Sequence, residues 1–402
     1  MKQQVPPRCS PPRRGGEQIP FARPWITDVE RDAVLGVLKG HILTHGPQCK
    51  AFEAEFAAFL GVPASGGAAH CVSTSSCMAA LHLAYLHFGL GPGDEVIVPA
   101  QTHTATAHAV EWVRARPVFA DCDPKTGNLT AKRVEAALTS KTKAISVVHF
   151  LGIPCDMPAI MEVARRRRLW VVEDCALAVG SRFDGVHAGL FGDAGCFSFY
   201  PVKHITTGEG GMFVSRHEGV AQAVSRLRAF GVDRTHAERS VPGMYDVPGL
   251  GLNYRLSELQ AALGRAQLGR VTENLDRRRK NFAVLKAGLS KVKDVRVLDS
   301  HDARAKNSHY CLEVVLEGPL SKRRGEIVAA LNARGVGTSI YYPQPVPRMA
   351  YYRKKYGYSP GSFQHAEKIS DCGIALPVGP HIETGDMPRI VDEFKAAVKE
   401  AS

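Results

Sequence analysis

The stretch richest in chemistry is SFYPVKHITTGEGGMF, Ser198 to Phe213. A strand-like run ends at Tyr200, Pro201 turns the chain, and Lys203 follows in a loop closed by Gly208, Gly210 and Gly211. A lysine in a loop is ordinarily a solvated charge. This one follows a buried-type strand, beside glycines that let a backbone or a ligand approach closely. A primary amine placed there can form a Schiff base with an aldehyde cofactor and, once released, carry protons. The adjacent His204 reads as a flanking structural residue.

Such an amine needs partners. VVEDCA ends another strand-like run with Glu173 and Asp174. A carboxylate against a pyridine nitrogen keeps that nitrogen protonated, because opposite charges favour both ionised forms. The protonated ring is the better electron sink. Standing alone, Asp174 would read as a strand-end carboxylate that caps the next turn. For a phosphate, the turn STSSCM (73–78) runs from a strand into a helix, where free N–H groups attract anions. Serines at a helix start are also ordinary caps. Ser198 offers a hydroxyl on the far side.

These residues have to be held by a scaffold. Short apolar runs occur at HCVST (70–74), EVIVPA (95–100), PVFADC (117–122), AISVVHF (144–150), LWVVEDC (169–175), GCFSFY (195–200) and GGMFVS (210–215). Helical patterns lie between several of them, at 76–86, 104–114 and 157–168, and an earlier one spans 25–60 with breaks near Gly40 and Gly46. Near-continuous apolar strands alternating with helices predict an α/β fold with a mostly parallel sheet covered on both faces. Ligands bind such sheets beyond the carboxyl ends of the strands. After Tyr254 the pattern predicts a long helix over 256–289, broken near Gly269. Strands at 295–299 and 310–317, a helix at 323–334, a strand SIYYP at 339–343 and a last helix near 387–400 follow. The expected division is a lead-in at 1–19 that is basic, Pro-rich and disordered, a large domain at 20–260, and a smaller α+β domain at 261–402.

In the order and spacing of its motifs the chain resembles the DegT/DnrJ/StrS-type sugar aminotransferases, which are pyridoxal-phosphate (PLP) enzymes of fold type I. The resemblance runs from about Phe21 to Val391. It is carried by THGPQCKAFEAEFAAFLGV (44–62), GPGDEVIVPAQTHTATAHAV (91–110), HFLGIPCDM (149–157), VVEDCALAVGS (171–181), SFYPVKHITTGEGGMF (198–213) and GLNYRLSELQAALGRAQL (251–268). It implies that Lys203 carries the cofactor and shuttles protons, and that Asp174 partners the pyridine nitrogen. His103 stands where an aromatic residue stacks on the cofactor ring. Ser76, Ser198 and the backbone at Cys77 and Met78 would hold the phosphate. Asn253 would reach the phosphate of the neighbouring subunit's cofactor, which implies a homodimer. Relatives with histidine at the lysine position carry out deoxygenation, and Lys203 argues against that variant.

Two departures stand out. The family's phosphate turn reads Ser-Gly-Thr, whereas this chain has Ser76, Cys77 and Met78, which loses a side-chain hydroxyl. Three residues after the aspartate, the family's Gln or His near the ring hydroxyl is replaced by Leu177, which cannot hydrogen-bond.

Composition narrows the remaining classes. The formal net charge is +12, drawn from the lead-in and from basic runs at 165–168, 277–280 and 322–324. Those runs fall on helical patterns and read as solvated faces. No helix-turn-helix, zinc-finger or RNA-binding signature accompanies them, so nucleic acid is not an expected partner. A basic surface also suits a doubly charged small substrate such as a nucleotide diphosphate. The ten cysteines form no CxxC pair or Cys/His cluster, which points away from a metal and toward reduced, buried thiols. No apolar run approaches the roughly 20 residues of a membrane helix, and no apolar segment follows the basic N-terminus, so a cytoplasmic protein is expected. The expected activity is a two-step transamination from glutamate to a keto-deoxysugar nucleotide, in amino-sugar biosynthesis. The competing readings are another PLP-dependent reaction and a regulatory or nucleic-acid-binding protein that keeps the fold.

Overall fold

Along the strand runs, alternate residues serve two different cores, and this arrangement builds the sheet. In a computed structural model, which describes residues 18–234, 241 and 243–402, the seven runs form β1 (His70–Thr74), β2 (Glu95–Pro99), β3 (Arg116–Ala120), β4 (Thr142–Val148), β5 (Trp170–Asp174), β8 (Ala194–Ser198) and β9 (Gly211–Ser215), with a two-strand hairpin β6 (Arg182–Phe183) and β7 (Val186–His187) between β5 and β8. The seven lie in the order β1-β9-β8-β5-β4-β2-β3. Only β9 runs against the others. The expectation of a mostly parallel α/β sheet holds.

Helices α3 (Cys77–His87) and α4 (Thr104–Trp112) cover one face. Their residues Leu81, Ala84, Ala107 and Val110 share a buried cluster with Val96, Val98 and Val172. Helices α5 (Ala131–Ala137) and α6 (Met157–Arg167) cover part of the other face, where Val134, Ile160 and Val163 cluster with Ile97, Ile145 and Val171. Helices α1 (Asp28–Leu38) and α2 (Pro47–Leu60) precede the sheet, and α7 (Glu218–Leu227) follows β9. On the same face as α5 and α6, Phe52, Phe56 and Ala261 pack with Phe197, Met212 and Val214. The alternation between Val96 and Ile97, or Val171 and Val172, is the two-residue period of a strand buried on both faces.

The long helix breaks between α8 (Glu258–Gly269) and α9 (Val271–Leu289), at the expected glycine. Strands β10 (Val295–Val297), β12 (Leu312–Leu316) and β13 (Gly373–Leu376) make a second, antiparallel sheet with α10 (Arg324–Ala333) and α13 (Met387–Ala401) packed nearby. Strand β11 (Ala305–Lys306) instead joins the β6–β7 hairpin. Helices α11 (Ala350–Tyr356) and α12 (Gln364–Cys372) complete the chain.

One expectation fails. SIYYP is not a strand: only Ser339 makes a bridge, to Ala375, and the chain then leaves the sheet at prolines 343 and 345. Of the expected disordered lead-in, residues 1–17 lie outside the described residues, while Ile19 is buried and bridges Val336. The basic runs are helix faces with nearby carboxylates, as Arg166 with Glu135 at 2.6 Å and Lys280 with Asp276 at 2.7 Å show. Among the described residues, no helix is long and apolar enough to cross a membrane.

Strand β5 sits in the middle of the sheet, so its last two residues are deeply placed. Glu173 is fully buried and accepts four hydrogen bonds. Its Oε1 takes the N–H groups of Phe191 (2.9 Å) and Gly192 (2.7 Å), and Oε2 takes Gly189 N–H (2.8 Å) and His149 Nε2–H (2.9 Å). The imidazole tautomer follows from Cys155 N–H, which donates to His149 Nδ1 at 3.1 Å. The ligand-type atoms of His149, Glu173 and Cys175 lie within 4.8 Å of one another; the hydrogen bonds of His149 and Glu173 give those two a structural role, and Cys175 packs in an apolar cluster. Glu173→Gln keeps the volume but must turn an NH₂ group against two of these donors. It should destabilise the protein by about 3 kcal/mol, read from the denaturant midpoint at constant slope. A change below about 0.5 kcal/mol would show that the network is not what holds this end of β5.

Candidate active site

Register brings the candidate residues to one edge. Gly211, the first residue of β9, pairs with Thr74 at the end of β1 and with Ser198 at the end of β8. Asp174 pairs with Cys196, two residues before Ser198. The turn after β1, the carboxylate ending β5 and the Lys203 loop between β8 and β9 therefore share the carboxyl end of the sheet.

At the turn, Ser76 caps α3, its Oγ accepting the N–H of Ala79 at 3.1 Å. The N–H groups of Cys77 and Met78 open the helix, where no preceding turn offers them a carbonyl. Gly211 presses against this turn. A Cβ there would lie 2.4 to 2.6 Å from the Ser76 carbonyl and Cys77 N. The Cys77 side chain points inward, its Sγ 3.3 Å from Cys196 O and 3.8 Å from Asp174 Oδ1. Met78 packs against the core. Ser198 is buried, its Oγ accepting Tyr200 N–H at 3.4 Å.

Asp174 is 5 % exposed. Its Oδ1 accepts the N–H of Ala176 at 3.0 Å, and its Oδ2 the hydroxyl of Thr106 at 2.8 Å. Thr106 has spent its one proton on Asp174, so its 2.7 Å contact with Thr102 is a bond donated by Thr102. This hydroxyl chain from Thr102 through Thr106 to the carboxylate escapes a reading of the residues one by one. Its signal is the four-residue spacing of the two threonines across the start of α4.

His103 is the N-cap of α4, and its Nδ1 accepts Ala105 N–H at 3.1 Å. The remaining proton therefore sits on Nε2 in the neutral ring. Burial, with the Lys203 charge adding to it, pushes its pKa below the usual histidine value despite Asp174. Its ring lies 5.7 Å from that of Tyr342, edge to face. Leu177 is buried in the main apolar cluster, and its backbone carbonyl accepts from Ser308 Oγ at 3.0 Å. His204 is turned away into the protein, its Nε2 against Ser308 O at 3.0 Å.

Lys203 is partly buried. Burial pulls its pKa down to about 8, against the pull of Asp174 in the other direction. Its Nζ lies 5.0 Å from the ring centre of Tyr310, a residue that sequence reasoning did not single out.

Asn253 stands apart from this group. It is exposed, its Oδ1 accepting Arg255 Nε–H at 2.9 Å. The next residue returns to the turn, since Tyr254 O accepts the N–H of Ser75 at 2.8 Å. Beside it opens a cavity of about 720 Å³ lined by Arg226, Arg228, Phe230, Arg234 and Arg255 among others. The Arg255 guanidinium lies 5.0 Å from the Phe230 ring centre.

Among the described residues, a lysine with no carboxylate within 4.0 Å, a buried carboxylate and an open helix N-terminus lie at the end of a doubly covered parallel sheet, which is the fold of a PLP-type transferase. Residues 24–395 match the DegT/DnrJ/EryC1/StrS aminotransferase family, and the chain belongs to that family. It is 36 % identical over 378 residues to GDP-perosamine synthase of Caulobacter vibrioides, covering 93 % of this chain and 96 % of that one. Among solved structures, the aminotransferase TlmJ from Streptoalloteichus hindustanus superposes with a TM-score of 0.87 at 33 % identity, covering 96 % of this chain and 100 % of that one. The Streptococcus pneumoniae protein Spr1654, in its PMP form, superposes with a TM-score of 0.89 at 27 % identity, with coverage of 96 % and 100 %. The chain is thus an aminotransferase of a PLP-dependent family.

Two outcomes follow from the geometry. Gly211→Ala forces its Cβ into the Ser76–Cys77 backbone and should weaken PLP binding about tenfold or more in a titration. Gly36→Ala, in open space on α1, should leave binding unchanged. Equal affinities for the two variants would contradict the tight turn. In the cofactor-free chain, acylation of Lys203 followed by peptide mass spectrometry should titrate with a midpoint at about 8. The unfolded chain holds that proton up to about 10.5, so between these values it binds more protons and this group adds stability as pH rises. A midpoint near that of a free lysine would show that burial does not reach the amine.

Proposed function

We propose that this protein binds PLP on Lys203 and moves an amino group from glutamate to the keto group of a nucleotide-linked deoxysugar, working as a homodimer. The observation that carries the reading is the Lys203 amine, partly buried and, among the described residues, free of a carboxylate clamp, near Asp174 and the open N–H groups of α3. The family and the nucleotide-sugar name of its Caulobacter relative support the substrate class.

Bound PLP supplies electron withdrawal from the carbon that gains or loses the amino group. The rest falls to the chain. Asp174, fixed by Thr106 and Ala176, would keep a positive charge on the ring nitrogen. His103 would lie against the ring, and Ser198 with the Cys77 and Met78 N–H groups would hold the phosphate. With Cys77 and Met78 in the turn, phosphate binding rests on backbone donors and serines. Lys203, half neutral near pH 8, would take a proton from the amino-bearing carbon of the donor and later give one to that of the sugar.

The dimer is favoured by what surrounds Asn253. Met244, Val247 and Leu250, the last 94 % exposed, offer apolar area of the kind a partner covers. The arginine-lined cavity next to them has the charge to hold a diphosphate.

Incubation with PLP, reduction with borohydride and peptide mapping should place the cofactor on Lys203. Glutamate should convert the bound cofactor to its amine form, and a keto-sugar nucleotide should reverse the conversion. Lys203→Ala should lose turnover altogether. Substantial turnover in that variant, or label on another lysine, would overturn the mechanism. Conversion by glutamate that no keto-sugar reverses would instead favour a different keto substrate.

A further inference from the structure

Lys203 has an unusual neighbourhood for a partly buried cation. Among the described residues, no hydrogen bond and no ion pair within 4.0 Å reaches its Nζ, and the group lying against it is the face of Tyr310 at 5.0 Å. That face is rigidly presented. Tyr310 is 4 % exposed, its hydroxyl is 2.7 Å from that of Tyr341, and its N–H donates to Leu151 O at 3.3 Å. Its carbonyl accepts Arg278 Nη1–H at 2.8 Å. The Tyr341 ring packs edge-on at 5.4 Å and the His204 ring lies at 5.8 Å.

Helix α9 ties the two sides of this contact together. Arg278 is 5 % exposed, and burial pulls its pKa down to about 10. Besides Tyr310 O, it donates from Nε to Asn274 Oδ1 at 2.8 Å. Asn274 Nδ2 in turn donates to the carbonyl of His204, the residue after Lys203, at 2.7 Å. One turn of one helix thus sets both the backbone beside the lysine and the ring beneath its amine.

We propose that Tyr310 is a positioning residue whose ring face seats the Lys203 amine whenever that amine is not bonded to the cofactor, holding the ammonium more firmly than the neutral amine. This rests on the aminotransferase reading for its use in turnover, though not for its test. An aromatic face attracts an ammonium through its quadrupole, without offering a lone pair that would lock the proton in place. A carboxylate at the same point would hold the lysine as an ammonium, unable to attack a carbonyl or accept a proton. A purely aliphatic wall would not hold the charged form at all. The ring suits a group that must be released, take a proton, deliver it and bond again within one cycle.

The test uses the full chain, freed of cofactor, as wild type, Tyr310→Phe, Tyr310→Leu and Tyr310→Met. The readout is the pH midpoint of Lys203 acylation by acetic anhydride, measured on its peptide by mass spectrometry. Phe keeps the face and loses the hydroxyl, so its midpoint should stay within about 0.3 unit of wild type. Leu and Met remove the face that favours the charged form, so their midpoints should fall by about one unit, a tenfold change in the protonation constant. If Leu does not fold, Met carries the same expectation. An unchanged or raised midpoint in the ring-less variants, or an equal shift in Phe, would overturn the seat and leave Tyr310 a packing residue. Borohydride trapping of PLP is run on each protein. Label on Lys203 with no shift in the midpoint defeats the seat alone, whereas failure of wild type to take PLP defeats the functional reading alone.

Discussion

Two adjacent carboxylates at the end of β5 set the terms for everything around them. Neighbouring residues of a strand point to opposite faces, so Glu173 and Asp174 serve different purposes. Glu173 faces the side where three backbone N–H groups and His149 converge, and it anchors the 189–192 segment that leads into β8. Asp174 faces α3 and α4 with Thr106, Ala176 and, at 3.8 Å, the Cys77 thiol as donors, which leaves acceptor capacity for a ligand. Burying one carboxylate is costly unless it is hydrogen-bonded, and burying two side by side is tolerable only because they are satisfied separately.

The position of β5 would mean little without the reversed strand β9. Because β9 runs back between β1 and β8, the connection from Ser198 to Gly211 returns over the carboxyl end of the sheet. That return presents Lys203, and it brings Gly211 against the Ser76–Cys77 turn. Cys77 fits this arrangement. Its small side chain tucks under the turn toward Cys196 O, so the departure from the family's glycine is absorbed by packing.

All seven strands of the large sheet were legible because each is a short apolar run bounded by turn residues. Asp174, Lys203 and the serines were legible as strand-end and turn chemistry, whereas the roles of His103 and Asn253 came only with the family resemblance. Helix α5 was missed because it is one short stretch with a single buried residue, Val134. Helix α7 carries Val220, Ala221, Val224 and Leu227 at helical spacing, a signal present but passed over. SIYYP misled because its aromatic and β-branched residues suit a strand, and the prolines that follow overrule them. Asn274, Arg278 and Tyr310 could not be found from the chain alone. Their part depends on which segments meet, and Tyr310 lies over a hundred residues from the lysine it faces.

The central claim is that Asp174 serves the cofactor ring while Glu173 serves the fold, and Asp174→Asn tests it most directly. The asparagine oxygen can accept Ala176 N–H while its NH₂ donates to Thr106, whose hydroxyl turns to Thr102, so the variant should fold as wild type and still take PLP on Lys203 under borohydride. Its rate of conversion by glutamate should fall by about a hundredfold or more, the loss of roughly 2.7 kcal/mol of transition-state stabilisation. A variant that folds, loads and reacts within threefold of wild type would contradict the account.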